Sequence, residues 1–473
     1  MQGGRSPPGR VRFFVCTASH WHGARSTGCR QSSNMTSNHL LGGRPTKSDV
    51  RPTLRVGALS RPGSPLASRG FGFLLGRDTL RLAAATVFGL ALAGSASALE
   101  IPYDYHVKVT PENAIFGHYS KTKAPVITVP SGAVVRIDGG GGRTGGARRT
   151  TPAPDAPAGA AAAAPVQETD EERNKWYADN GIPLTVDNPV VKEIALAQRD
   201  STNRMPVAPG ATGGGGGHFL IGPVYIEGAE PGDSLEVRIL DVTPRLPYGA
   251  NSANPTGGGL PGVMPRPFSK IYNFDLKRNV AIYDKNLEIP LAPFNGVNGT
   301  CPPDEELTPF RRSTEPGSFG GNLDSKDLIV GSTLYLPIYQ KGALFYTGDC
   351  HAAQGDGEIA GDAIGTANTV IYQFILHKGK TLKGPWAETP KEYIIYGLDP
   401  DLDQAMKNAM LNTLDFLKEK KGYDLMQAYT LSSAAVDFHV TQVVDRTLGI
   451  HGKIAKKLFI NEPDNYWYRT PRF

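Results

Sequence analysis

Apolar and polar positions alternate in short runs over much of the chain. Val126-Ile-Thr-Val129 and Ala133-Val-Val-Arg-Ile137, separated by Pro-Ser-Gly, predict two short strands with a turn between them. Ser234-Leu-Glu-Val-Arg-Ile-Leu240 alternates with period two, the pattern of a half-buried strand, and follows a turn at Glu230-Pro-Gly-Asp233. The runs Val280–Leu291 and Asp327–Ile338, punctuated by Gly and Pro, predict further strands. Helical spacing comes late. Leu402, Ala405, Met406, Ala409, Met410, Leu414 and Leu417 recur on one face, and Gly422 follows as a stop. A second helix is expected over Leu425–Val444. Strands that follow one another without long helices between them predict a mainly β fold. The expected core is an antiparallel sandwich or barrel-like arrangement, with a helical α+β element near the C-terminus.

Composition changes this picture in three places. Of 473 residues, 40% are hydrophobic and 20% charged, as in globular proteins. From Gly139 to about Glu172, however, the chain is built of Gly, Ala, Pro and Arg, which predicts a low-complexity surface insert unable to bury enough apolar area to order itself. Residues 1–98 hold 13 Lys and Arg against two acids, a balance of +11 within a chain of net charge +5, so the remainder carries −6. A mildly acidic body gives no reason to expect nucleic acid as a partner. Within the leader, Arg77 and Arg81 precede an apolar run from Leu82 to Gly94, and Ala96-Ser97-Ala98 supplies a small-residue cleavage pattern. Together they predict a secretory signal, hence a periplasmic or secreted protein whose body begins at Leu99. The run is shorter than the ~20 residues that span a bilayer, so no stable membrane insertion is expected after its removal. The alternative is a buried core helix. The expected organisation is a leader, 1–98, and one domain, 99–473.

Four cysteines make no metal-type spacing. Cys301 and Cys350, the two outside the leader, are free to pair in an exported protein. The densest chemistry is Gly348-Asp-Cys-His-Ala-Ala-Gln-Gly-Asp-Gly-Glu358, where Asp349, His351, Asp356 and Glu358 crowd together between turn-forming glycines. Carboxylates and an imidazole at that density suit a divalent ion such as zinc, or an acid–base pair. A polar turn holding a structural calcium through Asp356 and Glu358 is the plainer alternative. Asn322 and Asp324 lie on a second Gly-rich bend, where such residues also cap turns for purely local reasons. His218, after five glycines, is a ligand candidate or a structural hydrogen-bond partner.

The Gly348–Glu358 stretch resembles the most characteristic motif of the acetamidase/formamidase family. His218–Asp233, Gly321-Asn-Leu-Asp324 with Val330–Pro337, and Ala435-Val-Asp-Phe-His-Val-Thr-Gln-Val-Val-Asp445 resemble further family blocks in the family's order. The resemblance implies a β-rich, metal-bound enzyme that hydrolyses short linear amides, such as acetamide or formamide, to a carboxylate and ammonia. Family members are usually cytosolic, so the leader and the insert set this chain apart. On this reading His351 and Asp349, with His218 or Asp324, hold the ion: zinc first, calcium second. Glu358 is the general base, with Asp356 nearby, and Asn322 is a donor to the developing oxyanion. A homo-oligomer stays open. Three rivals remain: Cys350 as the nucleophile of a cysteine amidase, although adjacent strand residues point to opposite faces; a non-catalytic periplasmic protein that binds calcium or another ligand; and a structural sandwich domain that retains the motif without activity.

Overall fold

The computed structural model describes residues 101–141, 147–148, 166–206 and 217–468. The leader with its expected signal segment, and most of the low-complexity insert, lie outside the described residues. Two large sheets dominate, one of nine strands and one of 11. Pairing is antiparallel except where 105–107 meets 134–138 and 127–129 meets 219–226. The mainly β expectation holds.

The two sheets share one core. Val135, Val237, Leu336 and Phe374 from the nine-stranded sheet are buried with Ile221, Val224 and Phe345 from the other. Phe345 makes the cross-sheet contact, its ring centroid 5.0 Å from Phe374 and 5.5 Å from Tyr372. A fully buried Phe stabilises such a core by roughly 1.5–3 kcal/mol relative to an exposed one. The Pro130-Ser-Gly132 turn does not make a hairpin. Ile127–Val129 pairs with Phe219–Ile226 in one sheet, whereas Val134–Asp138 pairs with Asn368–His377 in the other. The turn hands the chain from layer to layer.

Helices α1 (Asp170–Asp179) and α2 (Pro189–Asp200) follow the insert, which therefore ends a few residues earlier than its composition suggests. Thr169 begins α1 with a reciprocal capping box to Glu172, and Asn188 caps α2 with Pro189 at its first position. The C-terminal helix α3 spans Leu402–Lys421 as its periodicity predicts. Asp401 caps Gln404 N–H, and Gly422 takes the left-handed conformation at φ 74° that ends it. The second expected helix is half as long. Helix α4 (Leu425–Ala435) stops where Val436-Asp-Phe-His-Val-Thr-Gln442 alternates, and that run pairs antiparallel with Leu448–Ala455. Period-two alternation and β-branched residues override the helical reading there. Among the described residues no helix is long and apolar enough to cross a membrane.

Candidate metal centre

Alternation along the strand Phe345–Ala353 sorts the motif. Asp349 and His351, two residues apart, share one face. Cys350 faces the other way, its Sγ 3.7 Å from Gly140 O. The neighbouring strand Phe294–Gly299 runs antiparallel, with Asn295 opposite Cys350 and Val297 opposite Gly348. Gly296 therefore sits against Asp349. A Cβ there would collide with Asp324 Oδ1 and Asp349 Oδ2, so glycine at this place is what lets the carboxylates close on the backbone.

Asp324 reaches the same spot from the loop after Gly320–Asn322. Its N–H donates to Gly296 O at 3.3 Å, and Gln354 Nε2 donates to its carbonyl at 2.7 Å. His351 Nδ1 lies 3.8 Å from Asp324 Oδ1, His351 Nε2 3.3 Å from Asp349 Oδ2, and His218 Nε2 3.9 Å from that oxygen. Ligand atoms of Asp324, Asp349 and His351 fall within 4.8 Å of one another, as do those of Asp324, Glu358 and Asp445. Asp324, Asp349 and Glu358 all have positive φ, at 46°, 56° and 43°. Such backbone costs of order 1–3 kcal/mol per residue and persists only where the surroundings enforce it.

The electrostatics are one-sided. Burial, then the Asp349 carboxylate, raise Asp324 above the usual carboxylate range. Burial, then Asp324, likewise lift Glu358 and Asp445 well above it. Burial would also raise Asp349, but His218 and His351 hold it well below. Burial alone would lower His351, yet Asp349 and Asp324 lift the imidazole to about 9. Among the described residues, Asp324 Oδ1, His351 Nδ1, Asn322 Oδ1 and Asp445 Oδ2 are buried with no hydrogen-bond partner. Buried polar atoms are normally paired, and buried charges are paired or bind metal. Imidazole and carboxylate donors, unpartnered and converging where no Cβ fits, suit a divalent ion.

Not every residue singled out in the sequence arrives here. Asp356 is exposed and tied to Lys326 (3.1 Å) and His439 (3.2 Å), and it is not among the residues whose ligand atoms converge on Asp324. Asn322 is drawn in, but its amide N–H groups are committed to Asp324 Oδ2 at 2.5 Å and Thr314 O at 3.4 Å. It orients Asp324 and has no donor left for an oxyanion. His218 approaches Asp349 from the edge, its Nδ1 facing Ser313 O at 3.2 Å. Cys301 and Cys350 are both free and buried, without a disulfide. Burial pushes the Cys350 thiol up to about 12, which removes the thiolate a nucleophile needs. The residue that sequence reasoning left without a role is Asp445. Its signal was its place at the end of the last family-like block, just past a strand.

Two sheets carrying a buried carboxylate–imidazole cluster define a β-rich protein with a candidate metal centre. The model of the acetamidase/formamidase family matches residues 215–316 and 308–451. The chain belongs to that family. It is 29% identical over 304 residues to a formamidase of Methylophilus methylotrophus, covering 48% of this chain and 73% of the relative. With an acetamidase of Mycolicibacterium smegmatis it shares 26% over 300 residues, covering 45% and 72%. The crystal structure of an acetamidase from Bacillus halodurans superposes with a TM-score of 0.55 at 26% identity, covering 75% of this chain and 99% of that one.

Proposed function

We propose that the protein hydrolyses a short linear amide, of the acetamide or formamide type, to a carboxylate and ammonia, with a divalent metal at the Asp324–Asp349–His351 cluster. Family membership and the names of its relatives support the amide chemistry. The observation that carries the site is the convergence of Asp324 Oδ1 and His351 Nδ1, both buried and unpartnered, beside Asp349. His351, Asp349 and Asp324 would hold the ion, with His218 at the rim; zinc suits the mixed nitrogen and oxygen donors. A metal bound there would polarise a carbonyl and lower the pKa of a water from about 15.7 to about 7.

The rest falls to the chain. Glu358, buried beside Asp324 and Asp445, has a proton affinity raised well above that of a free carboxylate. A carboxylate there would take a proton from the attacking water and return it to the departing nitrogen. Asn322 fixes the Asp324 carboxylate through its 2.5 Å bond, and Gln354 fixes the Asp324 backbone. The test is ammonia release from small amides by the purified chain. Glu358→Gln keeps the shape and removes the base, and should cut turnover by roughly a hundredfold or more while metal stays at the His351 side. Wild-type turnover in that variant would sink the assignment.

The signal pattern at 77–98 supports export to the periplasm or medium. The exported protein should then have the intact mass of a chain beginning at Leu99. Material kept inside the cell with residues 82–98 attached would overturn this.

A further inference from the structure

We infer that the site holds two divalent cations, the second bound by Glu358, Asp445 and the shared carboxylate of Asp324, with the amide oxygen of Asn322 as a further donor. The inference rests on the metal reading above and revises one role in it: with an ion on its carboxylate, Glu358 serves as a ligand in place of the base role given it there. The ligand atoms of Asp324, Glu358 and Asp445 lie within 4.8 Å of one another, the same closeness that unites Asp324, Asp349 and His351. Asp324 belongs to both groups, so one carboxylate stands between two adjacent positions. Hydrolytic sites with two metals place them about 3.5–4 Å apart, a separation that one bridging carboxylate can span.

The acidic residues are not the whole case. Asn322 is 1% exposed, and its Oδ1 has no partner, although its amide nitrogen is bonded to Asp324 and its side chain also lies against Asp445. A buried carbonyl-type oxygen left free beside carboxylates is a hard-cation donor. Asp445 Oδ2 is unpartnered as well. Among the described residues no Lys or Arg ion-pairs with Asp324, Glu358 or Asp445. The nearby cations are engaged elsewhere: Lys326 with Asp356, Lys453 with Asp327 and Glu392, and Arg446 with Glu315.

This second position has supports of its own. Gln442, fully buried, accepts from Val444 N at 2.9 Å and Asp445 N at 3.1 Å, and donates to Thr447 O at 2.6 Å. That clamp fixes the loop carrying Asp445. Gly357 N donates to Thr441 O, and Val443 N to Gly357 O, each at 3.1 Å, which ties the loop carrying Glu358 to the same strand end. The donor chemistry differs between the two positions. The first offers imidazole nitrogens and carboxylates; the second offers oxygen alone, which favours manganese, magnesium or calcium.

The experiment uses the whole chain, stripped with a chelator and reloaded with Mn²⁺ alone, with bound metal counted by elemental analysis and its coupling read by electron paramagnetic resonance. Two equivalents and an exchange-coupled spectrum are expected of the wild type. Asp445→Asn should bind one equivalent and give the six-line spectrum of an isolated Mn²⁺. Glu358→Gln should do the same, which guards against a fold lost in either variant alone. One equivalent and six lines in all three proteins would overturn the second position and leave the first intact. Two equivalents retained by both variants would place the second ion elsewhere and overturn the inference too. No bound metal in any of them would bring down the metal reading itself.

Discussion

Two buried polar clusters start from one short loop, Asp324 to Asp327, and they are opposites. At Asp327 a carboxylate meets a lysine, although Asp327 Oδ2 and His451 Nε2 are themselves buried without a hydrogen bond. Lys453 Nζ lies 2.7 Å from one carboxylate oxygen and His451 Nε2 3.4 Å from the other, while Thr441 Oγ1 meets His451 Nδ1 at 2.7 Å. Burial would raise Asp327, but His451 and Lys453 hold it well below the usual carboxylate range. At Asp324, three residues earlier, one imidazole, His351, lies 3.8 Å away, while three further carboxylates, Asp349, Glu358 and Asp445, crowd the same place. Balanced charge marks a fixture of the fold. Unbalanced charge, kept at the expense of left-handed backbone at three residues, marks a place built for something else.

The strongest way to break the contrast is His351→Ala. Losing an imidazole from the ligand set should strip most of the bound metal and with it activity, while the fold, read by circular dichroism, stays. A variant that keeps both metal and turnover would make the Asp324 cluster as structural as its neighbour. Asp327→Asn asks the converse. It leaves Lys453 and His451 facing a neutral amide and should cost roughly 1–3 kcal/mol of stability in denaturant unfolding, with metal content unchanged. Metal loss there would mean that the two clusters act as one.

The smallest effect sharpens the comparison through pH. In the metal-free protein Glu358, Asp445 and His351 bind protons more tightly folded than unfolded. For a raised folded pKa, the stabilisation is complete below the unfolded value and is lost as pH climbs towards the folded one. The metal-free chain should therefore melt progressively lower between about pH 4.5, near an unperturbed carboxylate, and about 9, the His351 value. Added metal should flatten or reverse that slope, because it prefers deprotonated ligands. A metal-free melting temperature that rises over this range contradicts the charge imbalance.

Much of this was legible in the sequence, for reasons that differ by element. Ser234–Leu240 and α3 carry clean periodicities, and burial follows them. Helix α1 puts only Trp176 and Tyr177 against the core and is mostly charged elsewhere, so it merged with the insert before it. Helix α2 was not among the expected elements, although Asn188 and Pro189 stand at its start and Val191, Ile194 and Ala197 recur on its buried side. Asp349, His351 and Glu358 were found because a contiguous motif holds them. Asp356 sits between two of these in sequence, but the turn aims it at Lys326 and His439. Asp445 joins from 87 positions beyond Glu358, and only the docking of the loop after Val436–Gln442 against Gly357 brings it in. Spacing along a chain reports a strand's face well and a loop's destination poorly.

The cluster draws its residues from His218 through Asp445, that is, from most of the described domain. This scatter has a consequence in time. A chain emerging from the ribosome carries the Gly348–Glu358 motif long before Asp445, and the pairing of Phe294–Gly299 with Phe345–Ala353 closes a long loop, which is slow. No half-made version of the protein holds the full ligand set. On the proposed metal reading, uptake would be deferred until synthesis and docking are finished, so a tightly held ion would certify a completed molecule.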